Sequence, residues 1–148
     1  MGDRCYWEAT VRRSDAPAFV AHIMGVPVES LPPVEEWKYR LGMDCEVHDA
    51  YVHIVDEEAN HGHGSAMEEL AEDCVFAGRH DEGDDYSGAC FASTGDGRLH
   101  GVCALGGEAV ALVQFDEVGT PFMSDDALRI ASAWWQADRK VRQMLGLP

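Results

Sequence analysis

Seven histidines, 27 carboxylates and five cysteines are the groups in this 148-residue chain with the chemistry to bind metals, move protons or attack a substrate. The tightest histidine pair is His61-Gly62-His63, with His53, Asp56 and Glu57 before it and His80 beyond. A zinc site needs three or four ligands converging from fixed elements, and a catalytic one also needs an open position and a placed base. On that logic one reading is a metal-dependent enzyme centred on His53, His61 and His63. No HExxH-type spacing supports it. His-Gly-His-Gly ahead of Ser65 reads more simply as a flexible approach to a helix, with His53 a hydrogen-bonded structural residue. No metal ligand or cofactor is therefore assigned.

The other reactive groups read in the same way. Asp81-Glu82-Gly83-Asp84-Asp85 lacks the alternating oxygen ligands and closing glutamate of an EF-hand loop. Gly62 and Gly64 precede a helix, as in a phosphate cradle, but Glu57, Glu58, Glu68 and Glu69 around them repel phosphate. Cys90 and Cys103 lie in the apolar rhythm of strands, which predicts core thiols and not nucleophiles. The cysteine count is odd and shows no CxxC spacing, so free buried thiols in a reducing compartment are expected. No catalytic residue is assigned, and the chain reads as a non-enzyme.

What remains is recognition chemistry. Between Leu41 and Gly97 stand 15 acidic residues and one basic residue, Arg79, which accounts for nearly all of the chain's formal charge of −16. Asp56, Glu57 and Glu58 follow a strand. Glu68, Glu69, Glu72 and Asp73 share a short helix, where Glu68/Glu72 and Glu69/Asp73 are like-charge pairs at four-residue spacing, each costing about 0.2–0.5 kcal/mol. Glu72 and Asp73 also sit at the unfavourable end of the helix dipole. Asp81, Glu82, Asp84 and Asp85 fill a glycine-containing loop. Carboxylates three or four apart on a helix have Cβ atoms about 5–6 Å apart, and same-face strand neighbours about 6.6 Å. Both spacings are close to that of successive phosphates on a nucleic-acid strand. The predicted partner-binding residues are Asp56, Glu57, Glu58, Glu69, Glu72, Asp73, Asp81, Glu82, Asp84 and Asp85, pairing with Lys and Arg of a basic surface. Direct nucleic-acid binding and anionic membranes are excluded by the same charge.

In charge pattern, size and α+β makeup the chain resembles the small acidic inhibitors with which phages and mobile elements block host defence, the DNA-mimic anti-CRISPR and anti-restriction proteins. The resemblance rests on residues 44–85 and on no sequence motif, so it transfers no residue roles. It implies a protein partner, a CRISPR effector or restriction enzyme, whose DNA-recognition surface is occupied and whose target DNA is excluded. It also implies a bacterial cytoplasmic location. The alternative is a solvated acidic face on a viral or mobile-element structural protein. Residues 98–148 carry six acids and five bases, which is unlike the uniform acidity of a halophilic surface.

The elements that must position these groups follow from periodicity. Tyr6–Arg12 alternates as a strand. Ser14-Asp15-Ala16-Pro17 opens a helix that Gly25 ends. Pro27, Pro32 and Pro33 break the stretch after it, before a short helix over 34–41 with Trp37 and Leu41 inward. Ala50–Asp56 is a strand. Ser65 and Glu68 form a capping box for a helix to about Asp73. Strands are predicted over 75–79, 88–94, 98–104 and 108–115, with turns at Gly95-Asp96-Gly97 and Gly106-Gly107. Ser124 caps a long helix over 125–145 with Leu128, Ala131, Trp134, Trp135, Val141 and Leu145 on one apolar stripe. The fold expected is a single α+β domain over 1–148. It has an antiparallel-dominated sheet of about five strands, with two short helices and one long C-terminal helix packed on one face. Met1–Glu8 shows no secretory segment and no apolar run is long enough to span a bilayer.

Overall fold

A computed structural model describes residues 3–111 and 113–148. The elements are β1 (Arg4–Arg12), α1 (Ala16–Met24), α2 (Trp37–Arg40), β2 (Asp44–Val47), β3 (Tyr51–Asn60), α3 (Gly64–Leu70), β4 (Val75–His80), β5 (Gly88–Thr94), β6 (His100–Leu105), β7 (Glu108–Ala109), β8 (Gln114–Phe115), β9 (Pro121–Phe122) and α4 (Asp125–Leu145). Seven strands form one sheet in the order β2-β3-β1-β4-β5-β6-β7, and β8 and β9 form a separate ribbon. Every pairing is antiparallel. The α+β class with an antiparallel sheet and a C-terminal helix is therefore as the sequence predicts. The sheet has seven strands instead of about five, and the described residues contain four α-helices instead of three. No helix of the described residues is long and apolar enough to cross a membrane.

The helices do not share one face. Successive strand residues point to opposite sides, and in β4 Phe76 enters one core while Val75 and Ala77 enter another. The first core sets Trp7, Ala9 and Val11 of β1 and Val52 and Ile54 of β3 against Phe19 and Val20 of α1, Trp37 of α2, and Met67 and Leu70 of α3. The second sets Val75, Ala77 and Ala92 against Ala137, Val141 and Leu145 of α4. The sheet is thus sandwiched between α1–α3 and α4.

Local chemistry explains the boundaries. Pro17 stands in the first turn of α1, and Gly25 closes it with φ 66°. Asp15 does not cap that helix. Its carboxylate accepts from Arg12 Nε at 2.9 Å and from the Val75 N–H at 2.8 Å, tying the end of β1 to the start of β4. Ser124 does cap α4, its Oγ accepting the Ala127 N–H at 3.1 Å.

Several expectations differ. The capping box is not formed: α3 starts two residues earlier, its cap position is His63 in a left-handed conformation, and no side chain caps it. The strand predicted over 108–115 is interrupted, with β7 and β8 in different sheets; its Leu112 lies outside the described residues. On α4, Leu128 and Trp135 are exposed. The buried stripe occupies only the C-terminal half of the helix, and Trp135 carries the Arg139 guanidinium 5.1 Å from its ring centroid. The strand β2 went unread because Asp44 and Glu46 alternate with only two apolar residues.

Candidate functional site

The ladder registers decide which carboxylates meet. Trp7 of β1 is flanked by Asp56 of β3 on one side and His80 of β4 on the other. The end of β3 and the end of β4 therefore lie at the same end of the sheet, where β1 begins. Asp56, Glu57, Glu58, Asp81, Glu82, Asp84 and Asp85 collect there. Asp3 joins them, its carboxylate accepting the Asp85 N–H at 3.0 Å. Glu69 lies on α3, where its carboxylate is 2.8 Å from His22 Nε2. Glu72 and Asp73 do not belong to this cluster. They follow α3 next to the start of β4, where Val75 pairs with Thr94, so β4 separates them from the loop by about 17 Å.

Four of the ten predicted partner-binding residues are engaged internally. Asp56 Oδ2 lies 2.9 Å from His63 Nε2, Glu58 receives Arg4 at 2.6 Å, Glu69 meets His22, and Asp81 receives Arg79 at 3.1 Å. Glu57, Glu72, Asp73, Glu82, Asp84 and Asp85 are exposed and make no ion pair among the described residues. The two arginines in the cluster, Arg4 and Arg79, are both already paired.

The histidines are held firmly. His61, Gly62 and His63 have consecutive positive φ values of 49°, 59° and 54°. A left-handed non-glycine residue costs about 1–3 kcal/mol and persists only where its surroundings enforce it. Here the His61 N–H donates to the Asp3 carbonyl at 2.8 Å. Gly62 packs so close to His80 that an added Cβ would lie 2.8 Å from its ring. His63 stands edge-on to Trp7, centroids 5.2 Å apart. The turn is thus tied to Asp3, His80 and Trp7 by backbone and ring contacts. His53 is on the opposite face from His63, so His53, His61 and His63 do not converge. Among the described residues no group of three or more His, Cys, Asp or Glu is placed to hold a metal ion.

Beside this turn lies a cavity of about 640 Å³, with Trp7, His63 and Asp56 among its lining residues. Trp7 is 1% exposed and its indole Nε1 has no hydrogen-bond partner.

A polar network that the sequence reading missed covers the other face of β1. The Tyr6 hydroxyl donates to Glu8 Oε2 at 2.7 Å, and Arg79 Nε donates to Glu8 Oε1 at 3.0 Å. His53 Nε2 lies 3.6 Å from Glu8, and its Nδ1 lies 3.0 Å from Thr10 Oγ1. Arg79 also stands over the Tyr6 ring at 5.0 Å. Burial pushes the Glu8 carboxyl up, but the Tyr6 hydroxyl, the Arg79 guanidinium and His53 outweigh it and hold Glu8 below the usual glutamate range. Burial, together with the Glu8 carboxylate, pushes the Tyr6 phenol up to about 12. A carboxylate so fully engaged serves as an anchor and not as a base. The signal was present: Tyr6, Glu8 and Thr10 are the polar half of the β1 alternation.

All five cysteines are free, and Cys5, Cys45, Cys74 and Cys90 are buried. Burial, then Asp15 and Asp73, pushes the Cys74 thiol up to about 11, and burial raises Cys90 as well. Neither is poised as a nucleophile.

No family model, curated protein or solved structure matches this chain.

Proposed function

We propose that the protein is a non-enzymatic inhibitor that docks the acidic end of its sheet onto a basic, DNA-handling surface of a host defence effector and excludes DNA from it. The supporting observation is the gathering of Asp56–Glu58 and Asp81–Asp85 around the start of β1, with both local arginines already committed to ion pairs. Glu57, Glu82, Asp84 and Asp85 make no ion pair among the described residues, so a basic partner gains attraction and steering there without breaking native contacts. Glu82, Asp84 and Asp85 carry the interaction, with Glu57 beside them. Glu72 and Asp73, far from this end, form a secondary contact only with a partner that wraps the α3 side.

The test is competition. Labelled duplex DNA is bound to purified CRISPR effector complexes and restriction enzymes, and its displacement by this protein is followed at about 50 and about 300 mM salt, where screening differs strongly. Displacement at low salt, weakened at high salt and abolished by the Glu82→Lys/Asp84→Lys/Asp85→Lys variant, is the expected result. Displacement that the triple variant leaves unchanged, or none from any effector, overturns the reading.

A further inference from the structure

We propose that the cavity over Trp7 is a binding site for a small organic cation, an ammonium ion carried on an apolar body. Its volume, about 640 Å³, falls within the range of about 300–1,000 Å³ usual for small-molecule sites. About half of its wall is apolar: Ile23 and Met24 from the end of α1, Leu41 and Met43 from the loop before β2, and Ile54 from β3. Asp44, Asp56, Glu57 and Glu58 also line it, and no lysine or arginine does.

The lining discriminates among ligand classes. A carboxylate or phosphate meets four acids of like charge. A neutral apolar molecule fills the walls but desolvates those acids without compensating them. A bare metal ion finds no convergent set of ligands. A cation with an apolar body satisfies both halves of the site. Its charge goes to Asp44 and Glu57, because Asp56 is held by His63 and Glu58 by Arg4.

The Trp7 indole lies at the cavity and reports on it. Its Nε1–H is buried without an acceptor, and the residue lines the cavity. The His61–His63 turn adjoins the same wall: Gly62 packs against His80, and His63 contacts both Asp56 and Trp7.

The test is a titration of the ¹⁵N-labelled protein with 2-amino-1-phenylethanol. The expected result is a saturable shift of the Trp7 indole N–H signal and of the Ile23 and Ile54 backbone signals. 1-Phenylethanol, which lacks the charge, should bind at least about tenfold more weakly, as should ethanolamine, which lacks the ring. Asp44→Asn/Glu57→Gln, both exposed positions, should weaken the amine about tenfold and leave 1-phenylethanol unchanged. Equal binding of the neutral alcohol, shifts that map elsewhere, or no saturable shift overturns the proposal. Glu82, Asp84 and Asp85 do not line the cavity, so their charge reversal tests the partner reading alone and leaves this titration untouched.

Discussion

Glu8 and Arg79 are direct partners across the β1–β4 ladder, and the guanidinium Nε lies 3.0 Å from the carboxylate. The one basic residue of the acidic stretch is thereby turned to the sheet face that α4 covers. It reaches the loop only through its second nitrogen, 3.1 Å from Asp81. Its charge is spent inside the fold.

Arg79→Met should therefore destabilise the protein by about 1–3 kcal/mol, the cost of leaving a partly buried charged acceptor short of a donor. Urea denaturation measures it. Glu8→Gln should cost a similar amount. The double variant should cost clearly less than the sum, because either change alone already breaks the pair. Strict additivity would mean that the pair contributes nothing.

The same network sets how stability follows pH. Glu8 has a folded-state value below its unfolded one, so its contribution is complete above about pH 4.3. It is lost as pH falls through the folded value. Tyr6 runs in the opposite direction. Its folded value near 12 exceeds the ordinary value of 10.0, so its contribution is complete below pH 10 and is lost as pH rises toward 12. The Tyr6→Phe variant should flatten the alkaline limb of the urea midpoint plotted against pH and, because the Tyr6 hydroxyl also helps hold Glu8 down, partly flatten the acid limb. Glu8→Gln should flatten the acid limb.

Two glycines are fixed by contact. A Cβ at Gly78 would lie 2.8 Å from the Ala9 Cα and 2.9 Å from the Phe91 ring, and would also collide with the Glu8 carbonyl oxygen. Backbone in the sheet interior cannot yield, so Gly78→Ala should cost more than about 4 kcal/mol and leave little folded protein at 25 °C. Gly62→Ala meets the His80 ring at φ 59° and should cost about 1–3 kcal/mol. Thermal unfolding followed by circular dichroism ranks the two. A Gly78→Ala variant as stable as the parent would contradict the close approach of β1 and β4.

The chain disclosed its elements more readily than their arrangement. Ser124 with the periodicity of 125–145, Pro17 with Gly25, and the alternation of β1 each announced a helix or strand, because capping and amphipathicity are local. The side of the sheet that α4 covers is not local, and its apolar stripe alone was compatible with either face. A hint stood in Val75-Phe76-Ala77 and Cys90-Phe91-Ala92, consecutive buried residues of the kind that strands covered on both faces carry. For the site, Asp56–Glu58 and Asp81–Asp85 were visible as acid clusters. Their meeting depends on the β3-β1-β4 order, which no spacing encodes. Glu72 and Asp73 were grouped with them by sequence proximity, and the length of β4 parts them. The Trp7 cavity was illegible because its walls come from five separate segments.

The two cores joined by β4 are unequal. The α1–α3 side gathers Trp7, Phe19, Trp37, Met67 and Phe76, whereas three of the six buried residues on the α4 side are alanines. A thin apolar contact gives a low free energy of local opening. Amide protons of α4 should therefore exchange faster than those of β1 and β3, a difference that hydrogen exchange measures.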